Sequence, residues 1–362
     1  IASVQIMELP SGISSDAFIG SLKQYMHARL HLVSYLSQKL SFVPGNLDHP
    51  AWVKDQKFNM DNHIIEYPVK APGGHAEFEQ SIALLHERKM PLDRPLWALY
   101  VLTGLADGKV AYYNSVHHAA IDGASGQAMI MTLMDETPTH PPVPEDIGED
   151  QLDDDSTLSL MEETFANFTR HQIDASSKLL GAIDTTGRLL QRALDPTKNF
   201  GAFGKLAPVT PFGVTISSKR TWAADQLPIV ELKKMSKTIG CTLNDVFIAI
   251  CAGGLRSYLD RNNKLPTESL IAGCPVSLRA AGDTRPGTQV TMMNVELATQ
   301  LKDPLARLLA IKASSATAKE VTRDLSRLYN GNASIPGLPI AISMGMKSFE
   351  SFGVADFVRG PV

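Results

Sequence analysis

The sequence predicts a mixed protein, α/β or α+β, organised as two domains. Three observations carry that expectation. The chain has 362 residues, beyond the ~250–300 residues at which a single core stops growing. Short alternating apolar runs and longer runs of helical period intermingle in both halves, with no internal repeat. A stretch at 136–156 separates the halves: Pro138, Pro141, Pro142 and Pro144 precede an acidic run ending in Asp153-Asp154-Asp155. That composition marks a solvated linker, not a metal site.

Residues 2–8 alternate well enough for a strand. Ser15 and Asp16 cap a helix reaching about Arg29, with Phe18, Leu22 and Met26 on one face. A second hydrophobic segment runs from Leu30 to Phe42, and Glu77 to Met90 reads as another amphipathic helix. Trp97–Leu105 and Lys109–His118 read as paired strands around Ala106-Asp107-Gly108, a strong hairpin turn. Gly123 and a helix over Ser125–Met134 follow, and residues 157–195 are helical in pattern. Past a loop-like stretch from Gly201 to Gly213, Val214–Ala223 reads as a strand. Pro228–Ile239 is a helix ended by Gly240. Thr242 caps an apolar helix, Leu243–Leu259. Leu270–Leu278 and Val290–Thr299 are strands, and Asp303-Pro304 starts a last helix with proline at its first position. The expected division is 1–140, an acidic linker with connecting helices over 141–213, and 214–362.

Composition narrows the function. Hydrophobic residues at 44% and charged residues at 20% exclude a disordered tail and a collagen-like fibre. A formal charge of −4 leaves no electrostatic footprint for nucleic acid. No uninterrupted apolar stretch reaches the ~18–20 residues that span a bilayer. Cys241, Cys251 and Cys274 each lie in an apolar run outside any C-x-x-C pattern, so buried, reduced thiols and a cytosolic setting are expected. The chain opens at Ile1 without an initiator Met and closes at Gly360-Pro361-Val362. Both ends of the natural protein are therefore expected to lie beyond it.

The chemistry concentrates in Ser115-Val116-His117-His118-Ala119-Ala120-Ile121-Asp122-Gly123. A strand ends in two histidines, and a loop carries Asp122 and Gly123 into a helix. Neighbours on a strand point to opposite faces, so one imidazole faces a cleft while the other packs or hydrogen-bonds. That geometry argues against joint chelation of a metal, and no third ligand lies nearby. A neutral imidazole titrating near pH 6.5 can take a proton from an alcohol in the transition state. Asp122 either orients that imidazole or pairs with an arginine to hold the loop, while Gly123 supplies a tight turn. No Gly-x-Ser-x-Gly elbow, P-loop or dinucleotide glycine pattern occurs, so direct transfer with a general base is preferred to a covalent intermediate.

His117-His118-Ala119-Ala120-Ile121-Asp122-Gly123 resembles the active-site motif of acyltransferases related to chloramphenicol acetyltransferase and to peptide-synthetase condensation domains. Pro95-Leu96-Trp97, Thr242-Leu243-Asn244-Asp245-Val246 and Pro275-Val276-Ser277-Leu278-Arg279 narrow it. In this order and spacing the four segments are similar to the bacterial wax ester synthase/acyl-CoA:diacylglycerol acyltransferase family over nearly the whole chain. The resemblance implies two chloramphenicol-acetyltransferase-like domains meeting at a central channel. Acyl-CoA enters from one side, and a fatty alcohol or diacylglycerol from the other. It implies His118 as general base with His117 beside it, Asp122 as a structural carboxylate paired with Arg279, and no permanently bound cofactor. Asn244 is expected in a first helical turn facing the channel, and Asp245 three residues after Thr242 has capping-box spacing. Pro95, Leu96 and Trp97 are expected to shape the fold or the substrate channel.

Two features depart from the family's pattern. A Ser-Asn-Val-Pro-Gly-Pro type segment is expected about where this chain ends, at Arg359-Gly360-Pro361-Val362. No anchor for the CoA phosphates carries over; Lys219 and Arg220, or Lys233, Lys234 and Lys237, are the candidates by composition. The lipid substrates imply a cytoplasmic protein docking peripherally on the inner membrane face or on lipid inclusions. Alternative readings are a condensation-type acyltransferase using a carrier protein, and an inactive lipid-binding scaffold.

Overall fold

The computed structural model describes residues 1–121, 123–135, 137, 142–144, 156, 158–162, 164–166, 187, 190–195, 197–277 and 290–329. These fall into two compact units. The first comprises the described residues of Ile1–Ala166 and Ser217–Ala224; the second comprises those of Asn167–Ile216, Asp225–Leu278 and Val290–Val362.

The first unit is built on a four-stranded sheet of order β1-β6-β5-β4. Its strands are β1 (Ala2–Met7), β4 (Ile64–Pro68), β5 (Trp97–Thr103) and β6 (Val110–Val116). The β5–β6 hairpin is the pair that the turn at Asp107-Gly108 predicts, with Trp97 opposite Val116 and Tyr100 opposite Tyr113. Gly108 takes a φ of +74°, a conformation that favours glycine. β1 pairs antiparallel with β6, and β4 runs parallel to β5. Helix α1 (Ser15–His27) starts one residue past its cap, where the Ser14 hydroxyl accepts from the Ala17 N–H. Helix α2 (His75–His86) starts at Gly74, whose N–H donates to the Glu77 carboxylate at 2.9 Å. Helix α3 (Gly123–Leu133) follows the histidine motif.

The pleat divides the sheet's side chains between two clusters. Trp97, Leu99, Val101, Tyr112 and Val116 pack with α1 residues Ile19 and Met26 and α3 residues Met129 and Leu133. Leu102, Ala111 and Tyr113 pack with α2 residues Phe78, Ile82 and Leu85. The segment from Leu30 to Phe42 resolves into two short 3-10 turns and β2 (Gln38–Ser41), which pairs with β3 (Ala51–Lys54).

The expected strand over Val214–Ala223 is not one. Its residues bond to helix ends and rings rather than to a sheet edge. The Lys219 ammonium and the Arg220 N–H both donate to the Glu87 carboxylate at 3.1 Å, and Trp222 meets Phe78 edge-on at 5.9 Å.

The second unit holds α4 (Ile229–Ile239), α5 (Leu243–Arg261), the antiparallel pair β7 (Ile271–Ser277) and β8 (Val290–Glu296), and α6 (Pro304–Tyr329). Gly240 ends α4 at a φ of +66°, and Thr242 caps α5. Ile248, Ala252 and Leu259 of α5 pack with Leu270, Met293, Val295 and Ile311. Cys251 departs from expectation. It is exposed on the side of α5 that it shares with Phe247 and Tyr258, both open among the described residues; Cys241 and Cys274 are half-buried. No single described helix is long and apolar enough to cross a membrane.

Candidate active site

β6 ends at Val116, so the two histidines lie in the turn beyond the strand rather than on alternating strand faces. Both are exposed. The chain is fixed on either side of them. The His117 N–H donates to the Leu96 carbonyl at 2.9 Å, extending the β5–β6 ladder by one bond. The Ala120 N–H closes a turn on the His117 carbonyl at 3.0 Å. Ala120 and Ile121 are then buried at 4% and 1% exposure and pin the motif to the core. A Cβ on Gly126 would stand 3.3 Å from the Ile121 Cδ1, so a glycine in the first turns of α3 lets the motif fold down onto the helix.

His117 Nδ1 accepts from the Ala119 N–H at 3.1 Å, which places the proton of the neutral ring on Nε2. Desolvation lowers the His117 pKa below the ordinary histidine value, the direction that favours the neutral ring this bond needs. His117 thereby helps to hold the turn, and His118, next to it in the chain, is exposed.

The Pro95-Leu96-Trp97 segment supports this turn from the adjoining strand. Leu96 supplies the carbonyl under His117 and is 1% exposed. Trp97 is buried, and its indole N–H donates to the Leu36 carbonyl at 2.8 Å. Its ring stacks on His63 at 4.5 Å, and His63 stacks in turn on Phe58 at 4.9 Å. His63 Nδ1–H donates to the Trp97 carbonyl at 2.8 Å, so one imidazole holds both the ring and the backbone of Trp97. Sequence reading missed His63, because its partners lie far along the chain and no local spacing announces them.

Desolvation holds the His63 pKa below its ordinary value. The unfolded chain takes up this proton near pH 6.5, whereas the folded chain resists it. Stability is therefore full above about pH 6.5 and declines as pH falls through the window beneath it, with a limiting slope of about 1.4 kcal/mol per pH unit for one proton. Urea unfolding at pH 7.5 and 5.5 should show a lower midpoint at the acid pH. The His63→Gln variant should lose part of that difference, and an identical pH difference in the variant would contradict the assignment.

Between the sheet and helices α1 and α3 lies an apolar cavity of about 320 Å³ lined by Met7, Leu22, Met26, Trp97, Leu99 and Met129. Its far end is polar. The Arg29 guanidinium lies 3.4 Å from the Asp135 carboxylate and 3.6 Å over the Tyr25 ring, whose hydroxyl is 2.9 Å from the same carboxylate. A second apolar cavity of about 270 Å³ runs along α3 past Val116, Ile121 and Gly126. The two share Asn114, Met129 and Ile130, so apolar space extends on both sides of these residues.

The other expected site residues are placed as follows. Gly123 opens α3. Asp122 and Arg279, with the ion pair expected between them, lie outside the described residues. Asp245, in the second unit, is 3% exposed and forms the capping box that its spacing predicts. Its carboxylate accepts from the Thr242 N–H at 2.9 Å and hydroxyl at 2.7 Å, and its own N–H donates back to Thr242 Oγ1 at 3.1 Å. Asn244, beside it, is exposed. Lys219 and Arg220 are engaged within the first unit by Glu87, and the Arg220 guanidinium also donates to the Ser217 and Lys219 carbonyls.

Comparison with known proteins bears on the family and the fold. The family model described as wax ester synthase/diacylglycerol acyltransferase catalytic domain matches residues 1–247. A Mycobacterium tuberculosis protein named as a diacylglycerol O-acyltransferase is 30% identical over 313 residues, which is 82% of this chain and 63% of its own length. A second from the same organism, similarly named, is 32% identical over 331 residues, 90% of this chain and 71% of its own. This chain thus spans less than two thirds of the first relative. Among solved structures, the wax ester synthase/diacylglycerol acyltransferase of Marinobacter aquaeolei VT8 superposes with a TM-score of 0.58 at 23% identity, covering 92% of this chain and 72% of that one. The first condensation domain of the calcium-dependent antibiotic synthetase gives 0.51 at 16% identity, covering 92% and 73%. These likenesses bear out the fold expected from the sequence, that of the two-domain chloramphenicol-acetyltransferase-like and condensation-domain proteins.

Proposed function

The chain belongs to the wax ester synthase/diacylglycerol acyltransferase family, and from that premise we propose that it moves a long-chain acyl group from acyl-CoA to the hydroxyl of diacylglycerol or a fatty alcohol. The observation that carries this reading is the histidine turn, exposed, held by the Leu96 carbonyl and flanked by Val116 and Ile121, which line apolar space. His118 takes the proton of the acceptor hydroxyl as its oxygen attacks the thioester carbonyl. The new C–O bond forms, the C–S bond breaks, and the proton passes from the imidazolium to the departing CoA sulfur. Base assistance of this kind is worth about 10²–10⁴-fold. His117, fixed as an acceptor for the Ala119 N–H, keeps the turn in place. The apolar cavities of about 320 and 270 Å³ suit hydrocarbon chains and offer few polar partners for a sugar or a charged acceptor.

Incubating the full-length protein with a panel of acyl-CoAs, together with dioleoylglycerol or hexadecanol, should yield triacylglycerol or wax ester in separated neutral lipids. Absence of both products at every chain length would contradict the reading.

The substrates also place the reaction at a lipid surface. We propose cytoplasmic, peripheral docking on the membrane or on lipid inclusions, through apolar contact rather than a basic patch, in keeping with a formal charge of −4. Flotation should recover the protein with neutral and anionic vesicles alike, with little dependence on salt. Recovery confined to anionic vesicles and lost at high salt would overturn this mode of docking.

A further inference from the structure

The opposite face of the sheet carries a cavity of another character. It measures about 290 Å³ and lies among the start of β5, the end of α2 and the loop that joins them. Arg88, Lys89 and Arg94 line it, with Asp61, Tyr100 and Ser115. Asp61, which lines the cavity, pairs with Lys23 at 2.7 Å, and Asp93 pairs with Arg94 at 2.9 Å. Glu87 is engaged by Lys219 and Arg220, which hold its carboxyl below the ordinary range. Among the described residues, neither Arg88 nor Lys89 has a carboxylate within ion-pair distance. The Arg88 guanidinium instead lies 5.5 Å over the Tyr67 ring and 5.6 Å over the Tyr100 ring. The cavity therefore keeps two unneutralised positive charges, one of them a planar fork placed on aromatic faces.

Position gives this cavity a role. It borders Ser115, two residues before His117, and Pro95, one residue before the carbonyl that holds His117. Trp97 lines both this cavity and the apolar one across the sheet. Cationic and apolar spaces thus lie on the two sides of the strand ends that carry the histidine turn. A molecule with a polyanionic end and a hydrocarbon end matches that pairing. An arginine fork beside a lysine suits phosphate oxygens, and a cavity of about 290 Å³ suits a compact anion rather than a nucleic acid.

We propose that Arg88, Lys89 and Arg94 form a phosphate site for the nucleotide end of the acyl donor, the adenosine 3′,5′-bisphosphate portion of CoA. This inference rests on acyl-CoA being the donor. Arg88 and Lys89 are exposed, so their substitution spares the core.

The test compares the wild type with the double variant Arg88→Gln/Lys89→Gln, using palmitoyl-CoA and the palmitoyl thioester of N-acetylcysteamine, which lacks phosphates. The KM for palmitoyl-CoA should rise about ten-fold or more, the scale of lost charge-assisted hydrogen bonds, with kcat within about two-fold. The KM for the truncated thioester should stay unchanged. In calorimetry, adenosine 3′,5′-bisphosphate should bind the wild type and bind the variant about ten-fold more weakly. Equal KM shifts for both donors, or an unchanged KM for palmitoyl-CoA, would overturn the proposal. So would displacement of the bisphosphate by inorganic phosphate or phosphatidylglycerol vesicles at equal phosphate concentration. Bisphosphate binding lost in the variant, with no ester formed from palmitoyl-CoA by the wild type, would support the site while refuting the acyl-transfer reading.

Discussion

Replacing His118 by alanine is expected to lower ester synthesis by about 10²–10⁴-fold, the range of a lost general base. The fold should survive, because His118 is exposed in the turn after β6, while Ala120 and Ile121 carry the burial that anchors it. His117→Ala should be milder. That substitution removes the acceptor for the Ala119 N–H but leaves the bond from the His117 N–H to Leu96 in place, since that bond is made by the backbone. Initial rates with saturating acyl-CoA and acceptor, read beside circular dichroism, separate the two residues. His118→Ala activity equal to the wild type, with both proteins folded, would remove His118 from the mechanism.

Trp97→Ala is expected to destabilise the first unit by about 3–5 kcal/mol, the usual cost of truncating a large buried aromatic. Trp97 is 4% exposed, stacks on His63 and donates to the Leu36 carbonyl. Its removal leaves that carbonyl without its indole donor and His63 without one of its two ring partners. Trp97→Phe keeps most of the apolar area and loses the indole bond, so a cost nearer 1–2 kcal/mol is expected. Activity should fall in both, because Leu96, next in the chain, holds the histidine turn. Urea unfolding followed by far-ultraviolet circular dichroism measures the difference. A loss below about 1 kcal/mol for Trp97→Ala would show that the residue packs less tightly than described.

Much of this site was legible in the sequence, for reasons particular to each segment. The β5–β6 hairpin declares itself because strand alternation and Asp107-Gly108 are local signals. The Thr242–Asp245 box reads directly from a three-residue spacing, and Gly240 as a helix stop from its place after the apolar period. What stayed hidden is non-local. β4 is short and finds its parallel partner β5 only across α2, so nothing near Ile64 announces it. His63 acts through Trp97, 34 residues away. Val214–Ala223 alternates like a strand, but its charged and aromatic side chains find Glu87 and Phe78 instead of a sheet edge. The alternation argument for the two histidines stops where β6 stops, at Val116. Beyond it the His117 ring accepts from the Ala119 N–H within a backbone turn. The Arg88-Lys89 pair lies inside the helix read over Glu77 to Met90 and carries no signal of its own. Only the fold shows that neighbouring carboxylates are already engaged.

The central claim is that acyl transfer is direct, from thioester to hydroxyl, with a histidine moving the proton. It is tested most directly by mixing the full-length protein with radiolabelled palmitoyl-CoA, with and without dioleoylglycerol or hexadecanol, and following CoA release, labelled ester and labelled protein together. The account predicts CoA release only when an acceptor is present, one CoA for each ester formed, and no label on the protein. A stoichiometric burst of CoA without acceptor, with palmitate covalently attached to the chain, would contradict it.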